Sequence, residues 1–460
     1  MNETLDTIIL YSFRISFAIA LFIIIYKRAS SVQTINEDLK KLIYRYFSCY
    51  IALFLAAFIQ MPYRYHLLLN KGLSHAQISE IFGIANIFVA LWNLFMPIAL
   101  KKLGHANLCI IVALSYFFNS GILAFGSHFI HFVIAGCLQG LTMPTAMMAL
   151  MDYWMTEELL LPQNSNANYI FNEQRVAISL FMSSFTSMIS NSVALNYGVE
   201  AIFSFTLSIP LASIILLVGL LRVKDKPEEK SIGGDFSKLN LWLTESPKNI
   251  IIIFTEIAFA SSIHIVIHHM SAFLFTPTYK PSMGYVQGVY GVFDIISTQI
   301  FSLISKRLSV TLWAMLLMVV MAITMLAMLV FYDNKIIIFF LIGLTSSVIS
   351  VTHGVFIEIR KLYYPGRIRN YIMTIVKLPT SLVSFAILWF TKEYSSMSLL
   401  IVASIVMIWG AFFSFLVHIR EKCEVTEDQL LEDEIQISDK IEIKHLENFD
   451  EEENDENESA

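Results

Sequence analysis

The feature that most constrains this chain is a series of apolar segments, each long enough to cross a membrane. A spanning helix needs about 20 predominantly apolar residues to cross a hydrocarbon core of about 30 Å. Segments of this kind, bounded by charged or turn residues, lie near residues 5–26, 46–69, 77–100, 107–126, 129–150, 173–196, 199–221, 249–275, 285–304, 309–332, 335–357, 371–391 and 397–418. The sequence therefore predicts an all-α protein that crosses the membrane many times.

The composition supports a membrane protein and gives no sign of an enzyme. AVILMFWYC residues make up 56% of the chain and charged residues 15%, whereas soluble proteins are about 25% charged. The four cysteines fall singly, so neither a disulfide framework nor a zinc spacing is indicated. No glycine-rich phosphate loop, Gly-x-Ser-x-Gly string or nucleotide motif occurs. We therefore expect no enzyme activity, no cofactor, no metal and no nucleic-acid partner.

The positions of Lys and Arg in the connections predict the orientation of the segments, because short cytoplasmic loops hold the excess of positive charge. If the first segment runs from outside to inside, the cytosolic connections and tail hold most of the 31 Lys and Arg residues. The outer connections then hold only Lys71, Lys280, Lys335 and Lys392. The N-terminus is therefore expected outside and the C-terminal tail in the cytosol.

Hydrophilic stretches divide the chain into five expected units. The longest internal stretch, 222–248, separates six segments from six once the first segment is set aside, as expected of two packed helical halves. The expected units are an N-terminal spanning helix with its linker, a first six-helix half, a cytosolic central loop, a second six-helix half and an acidic tail that is disordered by composition. Their boundaries are 1–45, 46–221, 222–248, 249–418 and 419–460.

The second segment carries a proline and a charge where neither is easily tolerated. Its far end reads QMPYRYH, from Gln60 to His66. Pro62 removes a backbone donor and loosens the helix just before Arg64. An arginine at membrane depth costs at least about 2.5 kcal/mol, so it normally faces a protein interior or an aqueous cavity. In the alternative, Arg64 lies near the outer interface and its side chain extends toward the headgroups.

Charged residues inside other segments suggest an anion site between the halves. Arg64 and Arg175 fall in the first half and Lys377 in the second, so a central cleft could carry positive charge on both sides. Glu256 and Asp294 lie well inside apolar runs of the second half. Either carboxylate could carry a coupling proton. Alternatively, the cations neutralise these carboxylates in interhelical pairs and contact no substrate.

A pair of histidines raises the question of a metal site. His264 and His268 are one helical turn apart, a spacing that can present two imidazoles on one face. The adjacent His269 points elsewhere on a helix. We therefore expect these side chains to line a polar cavity rather than to bind a metal.

Several strings in order along the chain resemble the molybdate-anion transporter family of the major facilitator superfamily, of which this chain would be a divergent member. They are Gln60-Met61-Pro62-Tyr63 with Tyr65, Gln77-Ile78, Met151-Asp152-Tyr153-Trp154 with Glu157, Phe275-Thr276-Pro277, Arg360-Lys361, and Lys377-Leu378-Pro379. The resemblance implies two six-helix halves plus one extra N-terminal helix, and it implies roles for Asp152, Arg175 and Lys377. One departure is the loop 101–106, which lacks the acid and the basic run common in such transporters.

The expected function is secondary transport of a small oxyanion by alternating access, with molybdate implied by the resemblance. The expected substrate-binding residues are Arg64, Arg175, Lys377, Gln60 and Tyr63, and the expected coupling or gating residues are Asp152, Glu256 and Asp294. The protein would act as a monomer in the lipid bilayer, in the plasma membrane or an internal membrane. Two alternatives stay open: a facilitator for a sugar or an organic acid, and a membrane scaffold subunit without transport, which the missing loop charges favour.

Overall fold

The described part of the chain is helical throughout, apart from short turns. The structure is a computed structural model that describes residues 2–30, 37–158, 167–221, 232–275, 280–304, 307–365, 369–392 and 397–423. Eleven helices in these ranges are long and apolar enough to cross a membrane, and a shorter apolar stretch covers Phe129–Thr142. The predicted all-α membrane fold is confirmed.

The helices follow the predicted segments closely. They are α1 Asn2–Ser30, α2 Glu37–Gln60, α3 Arg64–Asn70, α4 His75–Phe125, α5 Phe129–Glu158, α6 Ala167–Tyr197, α7 Val199–Phe205, α8 Ser208–Leu220, α9 Ile232–Glu245, α10 Pro247–Leu274, α11 Met283–Ile304, α12 Val310–Val330, α13 Lys335–Tyr363, α14 Arg369–Thr391 and α15 Met397–Cys423. The first half comprises α2 to α8, and the second comprises α10 to α15. The exact boundaries of the five units stay a prediction, and residues 222–231 and 424–460 lie outside the described residues.

Helix α4 contains two predicted segments joined at Gly104. Gly104 has φ 73° and ψ 169°, which are not helical values, so the chain turns sharply here between two helices. A side chain is disfavoured at such a positive φ, which explains a glycine here. The predicted cytosolic loop 101–106 is therefore a tight turn between two spanning helices.

The second predicted segment is broken at Pro62, as expected. α2 ends at Gln60, a 3₁₀ turn covers Met61–Tyr63, and α3 begins at Arg64. Proline cannot donate the backbone hydrogen bond that would continue α2, so the chain tightens into one 3₁₀ turn before it resumes. The break places Arg64 at the first position of a short new helix.

The central loop contains a helix that the sequence analysis did not predict. α9 packs its apolar side against the second half through Leu239 and Trp242, which are both buried. The Trp242 ring meets Tyr364 edge-on at 5.6 Å, and Asn249 Nδ2 donates to the Trp242 carbonyl at 2.7 Å. The three-residue spacing of Leu239 and Trp242 is a helical signal, but a short one within a hydrophilic stretch.

The extra N-terminal helix packs against both halves. Leu5, Ile9 and Phe13 of α1 are buried in the main core, and Phe13 meets Tyr285 of α11 at 5.5 Å. Ala20 packs in a smaller cluster with residues of α6 and α11. α1 therefore lies across the contact between the two halves rather than apart from it.

Candidate functional site

Arg64 is a buried cation without a carboxylate partner among the described residues. It is 7% exposed, and its Nε makes no hydrogen bond to any described group. Its Cζ lies 5.5 Å from the centre of the Phe82 ring, and its charge interacts with the Tyr116 hydroxyl group. The alternative in which Arg64 extends into the headgroups does not fit this burial. Arg64 Nε is therefore a buried donor without a described acceptor.

Gln60 and Tyr63, the other two expected binding residues in this segment, use their polar groups within the protein. Gln60 Nε2 donates to Ser120 Oγ at 2.6 Å and lies 2.5 Å from Thr206 Oγ1. The Tyr63 hydroxyl donates to Asn191 Oδ1 at 2.9 Å and accepts from the backbone N–H of Gly284 at 3.2 Å. Both side chains hold helices together around Arg64.

Two buried amides of α4 belong to the same interior. Asn119 Oδ1 and both side-chain polar atoms of Asn93 are buried without a hydrogen-bond partner among the described residues. Asn119 follows Tyr116 by one helical turn, and its neighbour Ser120 bonds Gln60, so Asn119 lies close to the level of the Arg64 guanidinium. The sequence analysis passed over Asn93, although a lone amide in the apolar run FVALWNLFMPI was a visible signal.

Glu256 of α10 is held by Arg360 of α13, which the sequence analysis had placed in a cytosolic loop. Glu256 is 2% exposed. Arg360 Nε donates to Glu256 Oε1 at 2.9 Å, Arg360 Nη2 contacts the same oxygen, and the Tyr364 hydroxyl donates to Oε2 at 2.8 Å. The carboxylate is thus fully bonded by residues that none of the predicted pairs included.

Lys377 of α14 lies near this pair without joining it. Its ammonium interacts electrostatically with Arg360, Glu256 and His264, but it forms no ion pair or hydrogen bond with a described residue. The side chain is half-buried. Lys377 therefore adds positive charge to the second half beside a pair that is already neutral.

Asp294 of α11 has hydroxyl partners and no cation among the described residues. Ser346 Oγ of α13 donates to Asp294 Oδ1 at 2.8 Å, and Ser350 is a second hydroxyl partner. No charged group takes part in the interactions of this carboxylate. Asp294 therefore differs from Glu256, whose charge is balanced by Arg360.

The structure places Arg64 and Lys377 at different depths. A Cβ on Gly83, the neighbour of Phe82, would lie 3.4 Å from Phe385 of α14, so the Phe82 level of α4 corresponds to the Phe385 level of α14. Lys377 precedes Phe385 by two helical turns, about 12 Å along the axis. The backbones of Asp152 and Arg175 are helical, in α5 and α6, and their side chains lie outside the described residues.

Three polar contacts join the two halves at the predicted outer end. Lys392 Nζ, directly after the end of α14, lies 2.5 Å from Glu80 Oε1 of α4, and Lys280 Nζ donates to Asn70 Oδ1 at 2.9 Å. The third is the contact of Gly284 with the Tyr63 hydroxyl. A Cβ on Gly284 would lie 2.8 Å from the Ser187 carbonyl oxygen, so α11 and α6 approach closely here. These contacts hold the two predicted halves together at the predicted outer end.

The buried apolar residues are arranged differently at the inner end. Buried apolar residues of the first half, among them Leu39 and Leu221, form one cluster near the predicted inner end. Residues of the second half at that end, among them Trp242 and Tyr364, belong to the main core instead. The two sets of inner residues share no buried apolar cluster in the described part of the chain. The described residues of the two halves thus meet through polar contacts at the predicted outer end and share no buried apolar cluster at the predicted inner end.

The described part of the chain shows no metal site at the histidines. His264 is half-buried on α10, and the side chains of His268 and His269 lie outside the described residues. The described residues contain no cluster of three or more His, Cys, Asp or Glu side chains suited to a metal ion.

Comparisons with known proteins bear on the fold. No protein-family model matches the chain, and no curated protein matches its sequence. The crystal structure of a D-xylose-proton symporter is similar, with a TM-score of 0.62 and 13% identity, over 82% of this chain and 96% of that one. The crystal structure of the peptide transporter POT with alafosfalin gives a TM-score of 0.61 and 10% identity, over 81% and 93%. The chain therefore has a major facilitator-like fold and is an integral, multi-pass membrane protein.

The same comparisons do not confirm the narrower resemblance. The major facilitator-like fold implied by the sequence strings is present, but the molybdate-anion transporter family within it is not confirmed. Identities of 13% and 10% indicate a shared fold and do not identify a substrate.

Proposed function

We propose that this protein is a secondary transporter that moves a small oxyanion across the plasma membrane or an internal membrane by alternating access. Two similar folds belong to solute transporters. The observation that carries the anion is Arg64, which is buried and has no carboxylate partner among the described residues. Molybdate is the first oxyanion to test, on the strength of the sequence strings from Gln60 to Pro379.

The chemistry of Arg64 favours an oxyanion over a neutral solute. A guanidinium has five donors in a planar fork that matches two oxygens of an oxyanion, and charge-assisted bonds of this kind are the stronger ones. A sugar would leave the charge unbalanced, and burying an unpaired charge is costly. An oxyanion offsets that cost because it supplies the opposite charge and accepts the free donors.

Lys377 and Arg175 are proposed to act with Arg64 during the transport cycle. Lys377 belongs to the second half and lies beside a charge pair that is already neutral. Rocking of one half against the other would change the depth difference between Lys377 and Arg64. Asp152, near the inner end of α5, stays a gating candidate on the sequence resemblance.

Asp294 is the better candidate for the coupling group, and Glu256 is the better candidate for a structural one. Glu256 is fixed by Arg360 and Tyr364, so removing its charge would break a buried pair. Asp294 is held by the hydroxyls of Ser346 and Ser350, which accommodate a charged or a neutral carboxyl. A carboxyl of this kind can take and release a proton without leaving a cation unpaired.

The test is uptake of labelled molybdate into proteoliposomes that contain the purified chain. Arg64→Gln removes the charge and keeps a polar side chain, and the matched control is Arg307→Gln at an exposed arginine. Loss of a charged hydrogen-bond partner is worth about 1.5–3 kcal/mol, so uptake at low substrate should fall about 10- to 100-fold in Arg64→Gln and stay unchanged in the control.

Three results would overturn the proposal. Equal uptake by Arg64→Gln and the wild type would remove the arginine from the site. Uptake of a neutral sugar that is unaffected by Arg64→Gln would favour the facilitator. If the wild-type protein moves none of the solutes tested, the scaffold subunit is favoured.

A further inference from the structure

The N-terminal helix α1 carries an arginine on its outward-facing surface, in the middle of its membrane span. The span runs over Thr4–Ile23. In its most apolar stretch 22% of the residues are buried, which is the lowest share among the eleven candidate spans of the described residues. Arg14 is exposed, and so are Tyr11, Ile15 and Phe22 on the same side of the helix. The opposite side of α1, with Leu5 and Ile9, is buried in the protein.

This arginine has no anionic partner in the described part of the chain. Its one described contact is with the Tyr11 ring, whose centre lies 6.0 Å from Cζ. Asp6, the nearest acid along α1 in the described residues, lies two turns away and contacts the backbone N–H of Ser282. An arginine at the centre of a spanning helix costs at least about 2.5 kcal/mol when it is left in lipid. No group among the described residues offsets that cost.

Lipid headgroups are too far away to be the expected partner. Arg14 lies ten residues from the outer end of the span, about 15 Å along the helix axis. The contact with Tyr11 shows the guanidinium turned by about one turn toward that end. Tyr11 is itself seven residues, about 10 Å, inside the span. With the hydrocarbon region taken as the span Thr4–Ile23, the guanidinium lies within it.

A second copy of this chain does not offer the missing charge either. Four carboxylates described within the helices are engaged: Glu256 is buried against Arg360, Asp294 is bonded to Ser346, Glu80 is paired with Lys392, and Asp6 of α1 contacts the backbone N–H of Ser282. In a two-fold pair of α1 helices, Arg14 would face its own copy, and like charges repel. The surface around Arg14 is therefore not self-complementary.

We propose that the exposed side of α1, centred on Arg14 and Tyr11, binds a spanning helix of a different membrane protein that carries an Asp or Glu near the bilayer midplane. An apolar helix with one carboxylate would cover Ile15 and Phe22 and pair with the guanidinium in a medium where such a pair is weakly screened. This partner modifies the sequence-based expectation of a monomer. It does not depend on what the cleft transports.

The experiment uses the full chain in phosphatidylcholine vesicles, with a donor fluorophore on the exposed Cys423. Cys49 and Cys109 are buried, and the partly exposed Cys137 is replaced by Ser in every variant so that only Cys423 takes the label. The probe is a Leu/Ala-rich spanning peptide with an acceptor and one central Asp, compared with a peptide that has Leu at that position. We expect the wild-type chain to bind the Asp peptide at least tenfold more tightly than the Leu peptide. Arg14→Leu should lose this preference, Arg14→Lys should retain part of it, and Arg14→Asp should prefer a peptide with a central Arg.

Three outcomes would overturn the inference. Equal binding of the two peptides by the wild-type chain would show that the charge selects no partner. A preference that survives in Arg14→Leu would place the contact elsewhere. A preference that disappears when phosphatidylglycerol is added, or self-association of the chain that the Asp peptide does not compete with, would assign Arg14 to lipid headgroups or to a second copy.

Discussion

Among the described residues, Arg360 and Arg64 both face the interior of the protein, and their surroundings are opposite. Arg360 of the second half is bonded to Glu256, whose other oxygen accepts from Tyr364. Arg64 of the first half faces Phe82 and Tyr116, with no carboxylate among the described residues. Breaking a buried pair is costly because it leaves one charge uncompensated, and a buried charge that has no partner destabilises the fold. The comparison therefore identifies Arg360 as part of a structural pair and supports the proposal that Arg64 binds the anion.

The largest expected effect concerns the paired arginine. Glu256→Ala removes the buried carboxylate and leaves the partly buried Arg360 without its partner, and breaking a buried pair costs about 3–5 kcal/mol. We expect a clear fall in the unfolding midpoint of the purified protein in detergent, measured by intrinsic fluorescence. Glu358→Ala is the matched control, because the Glu358 pair with Lys361 is exposed. A midpoint unchanged in Glu256→Ala would break the comparison at its structural side.

The second effect concerns the unpaired arginine and has the opposite pattern. Arg64→Leu removes a buried charge that no described residue neutralises, so the unfolding midpoint without solute should be unchanged or higher. Oxyanion uptake should nevertheless fall about 10- to 100-fold, as expected when a charged donor worth about 1.5–3 kcal/mol is lost. Stability and uptake falling together would indicate that Arg64 holds the fold, as Arg360 does.

A smaller effect is expected for the ion pair that closes the outer end. Glu80 and Lys392 are both partly exposed, and pairs of this kind contribute about 1 kcal/mol or less. Glu80→Gln should raise the population of an outward-open form by up to about fivefold. The measurement is the labelling rate of a cysteine placed at Asn86, on the same helix as Glu80, which should rise in Glu80→Gln.

The control for this pair is the charge reversal. Glu80→Lys with Lys392→Glu should restore the wild-type labelling rate, and each single reversal should raise it further than Glu80→Gln. Labelling that is indifferent to all of these changes would mean that the α4–α14 contact does not hold the outer end closed.

The smallest effect is expected at Tyr63, which joins both halves through one hydroxyl. Tyr63→Phe loses the bonds to Asn191 and Gly284, each of which is worth about 0.5–1.5 kcal/mol. Uptake should change a few-fold because the contact between the halves is weakened, while the affinity for the oxyanion is unchanged. An affinity loss as large as that of Arg64→Gln would place Tyr63 on the substrate instead.

Local features of the site could be predicted from the sequence. The proline rule located the break at Pro62 and hence the start of α3 at Arg64. The hydropathy of the segments located the spanning helices, because each must satisfy its own backbone and cover its own apolar surface. The tight turn at Gly104 was predicted as a loop between two helices, which is the same connection.

Pairings between distant helices could not be predicted. Arg360 was assigned to a cytosolic loop because the apolar run ends near 357, yet α13 continues to Tyr363 and brings Arg360 to Glu256 on α10. Helix α9 was missed because its apolar side is short and is stabilised by packing on the second half rather than by its own composition. Which charges meet depends on how the helices cross, and one-dimensional patterns do not contain that information.

The most direct measurement is binding of an oxyanion to the purified protein, followed as the rise in unfolding midpoint with increasing molybdate or sulfate. A ligand that binds the folded state at 100 times its dissociation constant stabilises it by about 2.7 kcal/mol. The account predicts a concentration-dependent rise in the wild type and in Arg307→Gln, and none in Arg64→Gln. A rise of equal size in Arg64→Gln would contradict it.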